Sequence, residues 1–123
     1  MPQRILSVGQ CVPDEATLRR FTRGHFDCEV VGADSADEAL ALLAKSPFDL
    51  VLINRKLDAD YSDGLEIVRR IKADEALRAV QVMLVTNYPD QQQLAVQAGA
   101  LPGFGKLEYE LPETLEKFRA ALG

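Results

Sequence analysis

The chain has 123 residues, 47% of them hydrophobic, which suits one domain with a substantial core. Its formal charge is −5 and its pI lies near 4.8, an acidic balance that argues against binding nucleic acid through the overall field. No apolar run approaches the roughly 18 residues of a membrane span. Met1-Pro2-Gln3-Arg4-Ile5 also lacks a signal-peptide hydrophobic region. The expectation is one cytoplasmic domain over 1–123, with no membrane partner and no output domain.

Arg4–Val8 reads as the first strand. A helix follows from about Asp14 to Arg23, with Leu18 and Phe21 inward and Gly24 as its stop. Cys28–Ala33 is the second strand. The capping box Ser35-Ala36-Asp37-Glu38 opens the second helix, whose apolar face carries Ala39, Leu40, Leu42 and Leu43. Leu50–Asn54 and Val80–Thr86 are near-continuous apolar strands, as parallel strands covered on both faces should be. Between them, Leu65, Ile67, Val68 and Ile71 recur at helical spacing, with Arg69, Arg70 and Lys72 outside. The fourth helix, Asp90 to Ala98, is polar and ends at Gly99. A short fifth strand is placed at Gly103–Gly105. The last helix has Pro112 in its first turn and buries Leu115, Phe118 and Leu122.

Five βα units in this order imply right-handed crossovers and helices on both faces of one sheet. The fold class is therefore α/β, a flavodoxin-like doubly wound (βα)5 parallel sheet with strand order 2-1-3-4-5. The loops after Val8, Asn54, Thr86 and Gly105 then share the carboxyl edge of the sheet, where such folds place their sites. Cys11 and Cys28 fall at opposite ends of the sheet and read as free thiols. His25, the single histidine, reads as an exposed turn residue and adds no metal-ligand set.

Four segments carry a family likeness: Ile5-Leu6-Ser7-Val8-Gly9-Gln10, Leu50-Val51-Leu52-Ile53-Asn54, Val82-Met83-Leu84-Val85-Thr86, and Ala98-Gly99-Ala100 followed by Phe104-Gly105-Lys106. In this order and at this spacing, the whole chain closely resembles the receiver (CheY-like) domain of bacterial response regulators. Asp63-Gly64-Leu65-Glu66 matches the family's turn into the third helix.

The resemblance implies roles for particular positions. Asn54 stands where the family has the phospho-acceptor aspartate, and Gly9 and Gln10 stand where it has an acidic pair. A carboxylate can attack phosphorus as an anion, whereas an amide is uncharged and a very poor nucleophile. The family's three carboxylates also hold Mg²⁺, a hard ion that wants oxygen anions. A pocket of Gly9, Gln10, Asn54, Thr86 and Lys106 is expected to contain no carboxylate, no Mg²⁺ and no catalytic residue. Lys106 is expected to meet the side-chain oxygen of Asn54 or Gln10, or to reach solvent. Leu107 replaces the proline that often follows this lysine, so a trans bond is expected. Three residues before Lys106, the family's switch aromatic is replaced by Gly103, and Phe104 lies one position off, which on a strand means the opposite face.

The function implied is a degenerate receiver in two-component phosphorelay signalling, not an enzyme. It would bind a histidine kinase, another receiver or an output protein without phosphorylation. The expected surface is the fourth helix, fifth strand and fifth helix: Gln91 to Gln97, Phe104 to Tyr109, and Glu113, Glu116, Lys117 and Arg119. Weak self-association through the same face is a further expectation. The alternative is a conventional single-domain regulator phosphorylated at Asp58, Asp60 or Asp63. These otherwise read as a solvated loop in which Ser62 or Asp63 caps the helix. A flavodoxin-like small-ligand binder is the least supported, because Gly9-Gln10-Cys11-Val12-Pro13 lacks a Gly-rich phosphate loop.

Overall fold

The alternating pattern folds into five parallel strands wrapped by five helices. The computed structural model describes residues 3–122. The elements are β1 (Gln3–Val8), α1 (Val12–His25), β2 (Cys28–Ala33), α2 (Ala36–Lys45), β3 (Leu50–Asn54), α3 (Gly64–Ala73), β4 (Val82–Val85), α4 (Pro89–Gln97), β5 (Leu101–Phe104) and α5 (Pro112–Leu122). The sheet order is β2-β1-β3-β4-β5, as the sequence implies. Every residue of β3 and β4 is buried, which explains their unbroken apolar runs.

Alternation along the strands sends side chains into two cores. One gathers Leu6, Val8, Val51, Ile53 and Leu84 under α2 and α3. The other gathers Ile5, Leu50, Leu52, Met83, Val85 and Phe104 under α1 and α5, around Leu18 and Phe118. The local signals hold where they are chemically specific. Ser35 Oγ accepts from Glu38 N at 3.1 Å, and Asp63 Oδ1 accepts from Leu65 N at 3.0 Å. No helix among the described residues is long and apolar enough to cross a membrane.

Several boundaries move. α1 starts earlier, with Pro13 in its first turn, and runs through Gly24 to His25. Gly24 is therefore not the stop. The chain turns extended at Phe26, whose N–H closes the last turn on Thr22 O at 2.8 Å. His25 is exposed but helical, 5.0 Å from the Phe21 ring. β4 is shorter than Val80–Thr86 because Val80 N is spent on the preceding turn, to Leu77 O at 3.1 Å. α4 runs Pro89–Gln97, one residue ahead of the expected span, and α5 leaves Leu115 only half-buried while Thr114 and Ala121 fill the interface.

β5 begins at Leu101 rather than Gly103, directly after Gly99 reverses the chain at φ +111°. Its pairing steps from Met83↔Leu101 to Val85↔Phe104, so β5 holds one extra residue and carries a bulge. The bulge sends Phe104 into the second core, 5.2 Å from Tyr109 and 5.3 Å from Phe118. Gly103 faces α4.

Candidate functional site

The carboxyl ends of β1, β3, β4 and β5 converge on one edge, as their parallel registers require. Asn54 closes β3 there and is 6% exposed. Its Nδ2 donates to Lys56 O at 2.8 Å and to Gly9 O at 3.3 Å. Both partners are carbonyls, which can only accept, so the amide's NH2 end is fixed by its surroundings. The backbone carbonyl of Asn54 is covered by Gly64, where any Cβ would overlap it.

Gly9 follows β1 at φ +74°, a conformation that favours glycine. A Cβ there would stand 2.9 Å from Leu57 Cα and closer still to Leu57 Cγ. Leu57 is fully buried and belongs to the first core. It reaches the edge because the 55–63 segment folds back on itself. Lys56 bridges Asp63, Leu57 N donates to Ser62 O at 3.0 Å, and Asp58 N donates to Gly9 O at 2.9 Å. Tyr61, at φ +58°, makes the reversal and is 75% exposed. Gln10 is half-buried, and its Nε2 has no hydrogen-bond partner among the described residues.

Lys106 departs from expectation. It meets neither Asn54 nor Gln10; its Nζ lies 2.8 Å from Asp14 Oδ2. The lysine's partner is thus a carboxylate from the first turn of α1, a residue outside the five expected at the pocket. Burial alone pushes the Asp14 carboxyl up, but hydrogen bonds from Lys106 and Cys11 and the ammonium charge outweigh it and hold the carboxyl below its ordinary value. Tyr109 behind it is raised by burial and by the Asp14 charge, so its hydroxyl stays protonated. The peptide bond into Leu107 is trans, as expected, and Leu107 itself is 90% exposed.

Thr86 is 6% exposed, and its Oγ1 accepts from Tyr88 N at 3.2 Å. At the switch position, Gln92 of α4 fills the space beside Gly103. Gln92 Nε2 donates to Leu84 O at 2.8 Å, and Gly103 N donates to Gln92 Oε1 at 2.8 Å. From α5, Lys117 Nζ donates to Gly103 O at 2.7 Å. Lys117 is thus half-buried and engaged, not on the outer side of the helix as its sequence position suggests.

The three loop aspartates are exposed. Asp63 caps α3, Asp60 Oδ1 accepts from Ser62 N at 2.9 Å, and Asp58 presents its side chain to solvent. Among the described residues, no three His, Cys, Asp or Glu side chains form a metal-ligating group. A cavity of about 240 Å³ opens between the β3–α3 and β4–α4 loops, lined by Asn54, Arg55, Lys56, Thr86, Tyr88 and Lys106 among others. Of the residues the sequence singles out, Asn54, Thr86 and Lys106 line this cavity, while Gly9 and Gln10 follow β1 at the same edge of the sheet. Sequence reasoning missed Asp14, Leu57 and Gln92, whose roles arise only from long-range contact.

Comparison with known proteins agrees with this geometry. Residues 11–106 match the model of the response regulator receiver domain. Chemotaxis protein CheY-3 of Vibrio cholerae serotype O1 is 30% identical over 94 residues, covering 72% of this chain and 71% of that protein. A receiver domain protein (CheY-like) from Methanospirillum hungatei JF-1 has a TM-score of 0.79 at 25% identity, over 99% of this chain and 94% of the other. A crystal structure from Chloroflexus aurantiacus J-10-fl shares the fold at a TM-score of 0.85 and 21% identity, with 99% and 98% covered.

Proposed function

The chain belongs to the response regulator receiver domain family, and from that premise we propose that it serves two-component signalling as a phosphorylation-independent interaction module. The observation that carries this reading is the state of Asn54. Its NH2 group donates to the Gly9 and Lys56 carbonyls, so the side chain occupies the site as a hydrogen-bond donor rather than as an anion. An amide in that role has no charge with which to attack phosphorus.

The surroundings support the same conclusion. Phosphoryl transfer depends on positioning and charge neutralisation. Mg²⁺ demands oxygen ligands in near-octahedral array, and Gly9, Gln10 and the Asn54 nitrogen do not suit it. Lys106 is held by Asp14 instead of pointing to an acceptor. The reading therefore assigns no enzyme activity and no Mg²⁺ cofactor, with Thr86 and Lys106 as retained pocket residues and Gly103 and Phe104 as a disabled switch. Partners are signalling proteins of the cytoplasm that read the face of α4, β5 and α5.

Incubation with a small phosphodonor and Mg²⁺ followed by intact-mass measurement tests it. The expected spectrum shows unmodified protein. A stable adduct of about 80 Da, the mass of a phosphoryl group, that is lost in Asp58→Asn would establish the alternative of an unusual phospho-acceptor.

A further inference from the structure

A trough lies between α2 and α3, over the first core, and none of the carboxyl-edge residues lines it. Its wider part, about 530 Å³, is bounded by Leu40, Leu43 and Ala44 of α2, Ala73 of α3, and Ala76 and Leu77 of the loop that follows. Its narrower part, about 270 Å³, shares Leu43, Ala76 and Leu77 and continues to Pro47, Phe48 and Val80. The shared residues make the two parts continuous. Exposed helix and turn positions ordinarily carry polar side chains. Here Ala44, Ala73, Ala76 and Ala79 are exposed, and a single methyl at each leaves the trough open and its walls apolar.

The loop wall is held in place before any ligand arrives. Lys72 Nζ donates to Arg78 O at 2.9 Å and to Val80 O at 2.6 Å, and Leu77 N donates to Asp74 O at 3.0 Å. Charge is unevenly placed along the trough. Arg70 is the one cation that lines either part, it lines only the wider one, and no charged residue lines the narrower one. Asp74 also borders the wider part, but its Oδ1 accepts from Ala76 N at 2.8 Å, so that carboxylate is turned to its own backbone. Among the described residues, Arg70 has one carboxylate within 4.0 Å, at that limit: Asp37 Oδ1, on a side chain 96% exposed. A pair so exposed contributes little. The guanidinium is thus left with N–H donors to offer beside an apolar wall.

We propose that this trough binds a straight-chain aliphatic monocarboxylate of medium length, non-covalently, with its carboxylate on Arg70 and its chain laid past Leu43 and Leu77 toward Phe48. A planar guanidinium matches a carboxylate with two parallel charge-assisted hydrogen bonds. The wider part lies within the roughly 300–1,000 Å³ of small-molecule pockets. Its narrow continuation suits an unbranched tail, which gains by leaving water against apolar walls. One cation at one end, with no charge at the other, selects an amphiphile with a single anionic head. The ligand would give the module an input by occupancy, at a face separate from the carboxyl edge. This goes beyond the interaction-module reading and does not require it.

The test is an amide NMR titration of the whole chain with sodium octanoate at neutral pH, below the concentration at which octanoate forms micelles and at constant ionic strength. The expected result is a saturable set of shifts at Leu40, Ala44, Ala73 and Leu77, with Asn54 and Thr86 unmoved. Acetate, a head without a tail, should give no saturable shifts. Uncharged 1-octanol and cationic n-octylammonium should each bind at least about tenfold more weakly, and Arg70→Gln should weaken octanoate binding about tenfold, the scale of one charge-assisted contact. Ala44→Leu fills the trough from an exposed helical position that accepts leucine readily. It should abolish binding while leaving the urea midpoint nearly unchanged. Several outcomes overturn the proposal: shifts that do not saturate, octylammonium or octanol binding as tightly as octanoate, no effect of Arg70→Gln, or binding that survives in a folded Ala44→Leu. Concentration-dependent self-association that is lost in Ala44→Leu would give the trough to a second copy of the chain and overturn it as well.

Discussion

Leu57 occupies the space into which any side chain at position 9 would project: a Cβ on Gly9 would lie 2.9 Å from Leu57 Cα. The backbone and its neighbours therefore close position 9 to any side chain, an acidic one included. Position 9 is left-handed and walled by a fully buried leucine. Gly9→Ala should destabilise the fold by about 2–4 kcal/mol, combining backbone strain with overpacking. Urea denaturation of Gly9→Ala, Leu57→Ala and the double variant should reveal a coupling of about 1 kcal/mol or more, since the two sites share one space. Strict additivity would show that Leu57 is not the obstacle.

Asn54→Asp tests the amide directly. A carboxylate there would face the Gly9 and Lys56 carbonyls with no proton to donate, and repulsion favours its neutral form. Its folded-state pKa is then raised, so the penalty is small below the ordinary carboxylate value and grows as pH rises through the raised one. The variant should lose about 1–3 kcal/mol near neutral pH, the range for a buried polar group left unsatisfied. It should lie closer to the parent in mildly acidic solution. Millimolar Mg²⁺ should not restore it, because positions 9 and 10 bring no carboxylate. Saturable rescue by Mg²⁺ would show that the cation site survives.

How much of this could be read beforehand follows from the range of each interaction. β3 and the Ser35 and Asp63 caps were legible because their signals are local: an apolar run, and a side chain within three residues of the N–H it accepts from. Gly9, Asn54 and Lys106 were placed at one edge by topology alone. The bulge in β5 was invisible, since Pro102 and Gly103 give no alternation to count. Leu57 was hidden as a single apolar residue in a loop that otherwise looks solvated. Its one signal was that lone apolar side chain among Lys56, Asp58 and Asp60. Gln92 lies in Gln91-Gln92-Gln93, where composition cannot say which glutamine turns inward. Asp14 looked like ordinary first-turn acid on a helix, and only the fold brings Lys106 to it.

The Asp14–Lys106 pair should stabilise modestly and in a pH-dependent way. Both side chains are about a third exposed, at 31% and 36%, so solvent screens the pair. Asp14→Asn should lose about 0.5–1 kcal/mol near neutral pH. The Asp14 carboxyl is held below its ordinary 3.8 in the folded state. Its contribution is therefore fully present above that value and disappears as pH falls through the lowered one. The stability gap between parent and Asp14→Asn should stay constant from neutral to mildly acidic pH and close only in stronger acid. A gap that closes well above 3.8 would contradict the assignment.

The proposed partner face separates two residues that sequence position treats alike. Arg119 is exposed and, among the described residues, pairs only with Glu116 on its own helix, at 2.8 Å. Lys117 crosses to β5, and its ammonium satisfies the carbonyl of Gly103, whose N–H is in turn held by Gln92 of α4. One backbone position thus ties α4 and α5 to the edge strand. Arg119→Glu should weaken partner binding, or self-association, while changing stability by less than about 0.5 kcal/mol, as exposed substitutions do. Lys117→Glu should lower stability by about 1–3 kcal/mol, because it removes the donor and sets an anion against that carbonyl. Any binding defect it shows is then partly a defect of β5. Denaturation curves combined with calorimetric binding to a signalling partner separate the two effects. Equal and negligible stability changes for both variants would show that the Lys117 contact does not hold β5. A partner footprint on α1 instead of α4, β5 and α5 would refute the face itself.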